Sequence, residues 1–330
     1  MRPGVHRSRS NQILRMALMK QLIGLLAAAA SLIAATASAA APRDIAFDDT
    51  RVFPESLGAS RDGTLYTGSW KGIVYRARPG EALATPWIKP SSENGLLTIL
   101  GVLPDDRAGW VWVCSVPAPA RDPPAPGISA LMAFDMKTGE QRLNLPFPAP
   151  ASVCNDITLA KDGTAYISDT PNGRIFRVRP QTKSLELFVQ DGQLKGIDGI
   201  VFSGDGTLYA NSVTSNRLWR IAIDRSGHVG AITQLTPSQP LNGADGFRLI
   251  RDNVFLLAEN AVGRLDEVHI SGDRATITVI KEGLDTPTSA IAFGRAIYGV
   301  ERKIEFVNKP ALRDKDPGPF KVFVLPLPSS

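Results

Sequence analysis

Glu55, Asn155, Asp198 and Asp245 share one local position in this chain. Each stands seven residues before the Asp of a turn, at Asp62, Asp162, Asp205 and Asp252. If the strands that they open converge, three carboxylates and one amide meet at one place. Carboxylates held a few ångströms apart repel strongly unless a cation lies between them. Calcium is suited to such a set, because it takes 6–8 oxygen ligands and leaves positions for water and substrate. Apart from Cys154 beside Asn155, no Cys or His falls at these positions, so the donor set disfavours zinc. The plain alternative is four turn and strand-capping residues, since Asp and Asn are common in that role.

The element that must position them is clearest in Cys154–Asp169, CNDITLAKDGTAYISD. An alternating run, an Asp-Gly turn and a second alternating run predict a β-hairpin with a two-residue turn. The pattern returns with first strands beginning near residues 55, 98, 155, 198, 245 and 288, a period in the forties that lengthens to 57 only across the Pro-rich insert. In the second copy the matching position is Thr98 or Ile99, and in the sixth it is Thr288. Two further strand-like runs follow each hairpin, such as GRIFRVRP and SLELFV after the third. Repeats of this length with four strands each predict an all-β fold, a six-bladed β-propeller of four-stranded antiparallel blades around a central channel. An open sandwich is the alternative, and the regular returns argue against it. First strands of blades line the channel, so the four residues are expected at one mouth. The second strands end in polar pairs such as Ser168-Asp169 and Asn211-Ser212, read as structural hydrogen-bonding groups. A Pro-rich insert, PAPARDPPAPG at 117–127, falls between the second and third strands of the second copy. It is either a stiff wall over the mouth or a surface loop.

Composition agrees. The 330 residues are 43% hydrophobic, enough for a large core, with 29 Gly and 25 Pro for turns. The first 39 residues read as a secretory signal: Arg2, Arg7, Arg9, Arg15 and Lys20, an apolar run over 22–35, then Ala37-Ser38-Ala39. Met19 is an alternative start, and a retained membrane anchor is the alternative reading of the run. The expectation is a signal over 1–39, a single propeller domain over 40–330 and a periplasmic or secreted product without a stable membrane anchor. The leader's five basic residues account for the whole formal charge of +5. The remainder shows no basic patch, so nucleic acid is not expected as a partner; a monomer acting on a small molecule is. Cys114 and Cys154 form either one disulfide or two buried thiols. His228 and His269 are read as surface or strand residues.

Over roughly residues 45–325 the chain resembles the calcium-dependent six-bladed propellers of the senescence-marker-protein, gluconolactonase and luciferin-regenerating-enzyme type, with the paraoxonases as relatives. Asn155-Asp156-Ile157 is similar to the paraoxonase form and Asp198-Gly199 to the gluconolactonase form. The resemblance implies a catalytic divalent ion, Ca²⁺ or another hard cation, held by Glu55, Asn155, Asp198 and Asp245. It implies a hydrolase that opens a lactone or related ester, with Asp198 as the base that activates water and Asp245 as the alternative. The chain departs from the pattern at Pro54-Glu55-Ser56. Ser56 stands where paraoxonases place an Asp for a second, structural calcium, although Asp156 fits that site. The paraoxonase His pair has no counterpart. Two other classes remain open: a non-enzymatic ligand-binding propeller, and a metal-free propeller enzyme similar to strictosidine synthase.

Overall fold

The computed structural model describes residues 43–117, 127–148 and 151–328. The leader and most of the Pro-rich insert, residues 118–126, lie outside the described residues.

The hairpin that the sequence repeats is present at each expected return, and its turn chemistry explains why. Ser60 N bonds Thr64 O at 2.9 Å and Gly63 N bonds Ser60 O at 2.9 Å, which closes a three-residue loop. The same pair of bonds closes Ala160–Thr164 and Ser203–Thr207. This corrects the expected two-residue turn. A two-residue type I′ turn needs left-handed φ at both central residues, whereas only the glycines adopt it here, as at Gly163 with φ 90°. The Asp instead stays in ordinary backbone and accepts the Thr amide two residues on, at 2.8–3.0 Å in Asp62, Asp162 and Asp205.

Each hairpin extends into an antiparallel sheet. One sheet holds Thr98–Asp105, Trp110–Val116, Ala130–Asp135 and Gln141–Pro146. The next holds Cys154–Leu159, Ala165–Asp169, Arg174–Val178 and Leu185–Gln190. A third runs from Ile197–Phe202 to Val229–Gln234. A fourth runs from Ala244–Arg251 to Arg274–Lys281, with the short strand Thr236–Pro237 added at its edge. The remaining strands join into an eight-stranded sheet that unites the first and last described strands. There Ile45–Phe47 pairs antiparallel with Lys321–Pro326 and parallel with Leu83–Ile88. This N-terminal strand was not read from the sequence, because three residues carry too little pattern.

The first strand of each sheet packs against the first strand of the next. Pro287–Phe293 packs in turn against Pro54–Ala59, so the first strands form a closed ring. The approach is close enough to require glycine. A Cβ on Gly246 would lie 2.3 Å from the Thr288 carbonyl oxygen, and one on Gly101 would lie 2.3 Å from that of Asn155. Between neighbouring sheets the second and third strands bury apolar side chains. Trp112, Leu131, Ile157, Ile167 and Phe176 form one such cluster, in which Phe147 and Phe176 meet with ring centroids 4.9 Å apart. Truncating a buried Phe of this kind costs about 3–5 kcal/mol. The same cluster contains the disulfide Cys114–Cys154, which ties a second strand to the first strand of the next sheet with a Cα separation of 5.1 Å. A native bridge of this kind is worth about 2–5 kcal/mol. His228 and His269 are exposed, as expected.

Candidate functional site

A register irregularity sits at the start of every first strand. In four of them it falls between Pro54 and Leu57, Cys154 and Ile157, Ile197 and Ile200, and Ala244 and Phe247. Glu55, Asn155, Asp198 and Asp245 each occupy one of these bulges. A bulge breaks the strict alternation of a strand and re-aims a side chain. Here it turns the four side chains toward the axis of the ring, where they line one polar recess together. The sequence aligned these residues correctly but gave no sign of the bulges. The irregularity in the second sheet lies between Ile99 and Val102, so the matching residue is Leu100, not Thr98 or Ile99. That copy lacks the Asp-Gly turn, and the longer connection from Asp105 to Trp110 shifted the alignment. Thr288 does hold the position in the last first strand, and its hydroxyl donates to the Glu55 carbonyl oxygen at 2.6 Å.

Glu55, Asn155 and Asp198 are each 7% exposed and Asp245 is 4% exposed, and all four also border an outer cavity of about 300 Å³. Asn155 Nδ2 donates to Asp198 Oδ2 at 3.1 Å and to Thr170 Oγ1 at 2.8 Å. Asn260 Nδ2 donates to Asp245 Oδ2 at 2.7 Å. Arg302 Nη1 stands 3.9 Å from Glu55 Oε1, an ion-pair distance that is too long for a hydrogen bond. The electrostatic result is a set of acids that resist ionisation. Burial first, then the Asp245 charge, pushes the Glu55 carboxyl up to about 8, with Arg302 opposing. Burial pushes Asp245 up to about 7 against Arg302 and the Asn260 hydrogen bond. Asp198 is raised well above the usual carboxylate range by burial and then by the charges of Asp245, Glu55 and Asp156.

Below this set lies a pair of a different kind. Arg248 grips Asp156 through Nη1–Oδ2 at 2.5 Å and Nη2–Oδ1 at 2.6 Å. Arg248 Nη2 also donates to Ser56 Oγ at 3.2 Å, and the Ile200 amide donates to Asp156 Oδ2 at 3.0 Å. Asp156, which the resemblance offered to a second calcium, therefore has a cation from the chain itself. Sequence reasoning missed Arg248 and Arg302. The only available signal for Arg248 was its place three residues after Asp245 on a first strand.

The donor set can be tested against a hard divalent cation. Glu55, Asp156, Asp198 and Asp245 bring four carboxylates and Arg248 and Arg302 two guanidinium groups, so full ionisation leaves two uncompensated negative charges. One divalent ion would match that balance, and the ligands on offer are the oxygens that Ca²⁺ prefers. The side chains as they stand do not form a finished cage: among the described residues, no three His, Cys, Asp or Glu groups are gathered closely enough to hold an ion. The chemistry and charge of the residues fit the ion, and binding would have to draw the carboxylates inward.

No family model matches the chain, and no curated protein matches it. Solved structures do. A gluconolactonase from Xanthomonas campestris superposes with a TM-score of 0.61 at 15% identity, over 86% of this chain and 98% of that one. The fold is that of a β-propeller. A luciferin-regenerating enzyme gives a TM-score of 0.61 at 13% identity, over 84% of this chain and 92% of that one. The PQQ-bound aldose sugar dehydrogenase from Streptomyces coelicolor gives 0.59 at 15% identity, over 86% and 97%. These propellers differ in chemistry, so the reaction must be argued from the side chains.

Proposed function

We propose that this chain is an exported, monomeric, calcium-dependent hydrolase of the gluconolactonase type that opens a lactone or related ester. Its eight-stranded sheet is read as two blades. One runs from Pro54–Ala59 to Leu83–Ile88, and the other is completed by the N-terminal strand Ile45–Phe47, giving six in all. The observation that carries the reading is the presentation of three buried carboxylates and an amide by equivalent strand bulges, with two negative charges left uncompensated. The gluconolactonase likeness in fold supports the choice of substrate class.

Glu55, Asn155, Asp198 and Asp245 would hold the ion, which supplies Lewis-acid polarisation of the carbonyl and charge stabilisation for the developing oxyanion. Asp198 accepts the proton of the attacking water. The Asn155 amide, 3.1 Å from Asp198 Oδ2, fixes that carboxylate's orientation. Asn260 does the same for Asp245, the alternative base. A base in a dry recess with a raised proton affinity suits proton transfer near neutral pH, and a cation alongside lowers that affinity again. The test is chelation followed by addition of calcium, read with a panel of lactones and by metal analysis of the purified protein. Loss and recovery of turnover support the reading. Turnover indifferent to chelation, in protein free of metal, would sink it.

A further inference from the structure

We propose that Arg302 is a specificity-determining residue and that the substrate at this mouth carries an anionic group, a carboxylate, beside its scissile ring. The proposal rests on the hydrolase reading for the ring but not for the anion. Arg302 borders the outer cavity together with Trp70, and among the described residues lining that cavity it is the one cationic side chain. Its guanidinium lies over the Trp70 indole, 5.0 Å from the ring centroid. The contact with the indole face restrains the guanidinium at the cavity wall. The backbone holds the residue in place: the Arg302 amide donates to Thr286 O at 2.9 Å, and Lys303 adopts φ 50° with its Nζ bonded to Pro317 O and Pro319 O. Trp70 is pinned in turn by its amide to Val52 O and Phe53 O and by its carbonyl oxygen to the Thr98 hydroxyl.

The donors of this rigid fork are underused. The Glu55 carboxylate is 3.9 Å away, and Arg302 Nε is buried without a hydrogen-bond partner. A guanidinium that served only to neutralise Glu55 would close to a bidentate contact, as Arg248 does on Asp156. Instead it stands off, so Glu55 does not take up its Nη1 donor. Leu100, Val116, Val153 and Val213 give the same cavity an apolar lining. The mouth thus offers one anchor for an anion and one surface for hydrocarbon, above the acids that would act on the ring.

The experiment is binding, which needs no turnover. Thermal shift and calorimetry on the calcium-loaded protein would compare cyclopentanecarboxylate with cyclopentanecarboxamide, ligands of one shape that differ in charge. The carboxylate should bind more tightly, and Arg302→Gln should weaken it on the order of tenfold to a hundredfold while leaving the amide unchanged. Arg302→Lys should keep part of the preference, and Trp70→Leu, which retains the charge but removes its restraint, should also reduce it. A carboxylate preference that survives Arg302→Gln places the anion on the metal ion and overturns the proposal, as does an equal loss for both ligands. In the hydrolysis assay, Arg302→Gln should raise KM for carboxylated lactones well beyond any change it makes for neutral ones. Arginine-dependent binding with no lactone turned over would end the hydrolase reading and keep this site. Turnover of lactones without regard to charge would do the reverse.

Discussion

The same hairpins carry acids at both ends, and the two sets behave oppositely. At the turn end, Asp62 and Asp205 each accept a Ser hydroxyl and the Thr amide two residues on, and these bonds hold both carboxyls below the usual range. At the axial end, Glu55, Asp198 and Asp245 are buried among one another and are held above it. The turn acids meet backbone within their own loop, so folding the loop completes them. The axial acids meet side chains rather than their own loop: Asn155 of the preceding sheet for Asp198, Asn260 at the end of the second strand of the same hairpin for Asp245, and a distant Arg302 for Glu55. A carboxylate satisfied by its own turn is furniture of the fold. One presented by a bulge to a recess without a full partner stabilises nothing by itself, and such electrostatically incomplete positions are where function is sought.

The largest expected effect breaks the comparison at the axial end. Asp198→Asn keeps an oxygen for the ion and removes the base, so turnover should fall by about 10² or more while metal binding survives in weakened form. Full turnover in Asp198→Asn with loss in Asp245→Asn would move the base to Asp245. Full turnover in both would make the mouth a binding site.

The next effect separates the two kinds of axial acid. Asp156→Asn leaves the Arg248 charge buried without its partner, and breaking such a pair costs about 3–5 kcal/mol. Asp245→Asn in the presence of chelator should do the opposite at alkaline pH and raise stability, because it removes a buried charge that Arg302 and Asn260 compensate only in part. Urea unfolding of the two variants reads both signs. Equal destabilisation would mean that Asp245 is as well partnered as Asp156.

How much of this was legible follows from what each end needs. The Asp-Gly turns and alternating runs are local, and they marked the sheets and the position of all four axial residues. The bulges are not local: they arise where first strands crowd around the axis, as at Gly101 and Gly246. The second copy was misaligned for want of the turn signal, which hid Leu100. Arg248 and Arg302 come from strands distant in sequence from the acids they face, so no spacing rule could pair Arg248 with Asp156. The disulfide was open in the sequence because connectivity depends on which sheets are neighbours, and adjacency brings Cys114 to Cys154.

A smaller effect uses pH. In the unfolded chain the axial acids titrate near 4, whereas in the folded, metal-free protein Asp245 does so at about 7 and Glu55 at about 8. Between those values the folded state binds more protons than the unfolded state, so stability falls as pH rises. The loss from these two acids begins above pH 4 and runs through pH 8, and Asp198, also raised, adds to it. Melting curves in chelator should show this decline, and calcium should flatten it by favouring the ionised forms. A metal-free protein whose stability does not fall over this range would contradict the raised values.

The smallest effect belongs to the turn end. Asp205 accepts from the Ser203 hydroxyl at 2.5 Å and from the Thr207 amide at 3.0 Å, in a loop already closed by Ser203 N to Thr207 O. Asp205→Ala removes only the side-chain bonds. The lost bonds are partly replaced by water, so the expected cost is about 1 kcal/mol, seen as a small drop in the urea midpoint. Its sign with pH is the reverse of the axial set. A carboxyl held below its unfolded value contributes stability above that value and loses it as pH falls, so the difference between wild type and Asp205→Ala should shrink on acidification. Turnover and metal binding should not change. This substitution sits on the same first hairpin as Asp198, at the other end of the strand. If it cost catalysis as much as Asp198→Asn, damage anywhere on the hairpin would explain both results, and the division between satisfied and functional acids would fail.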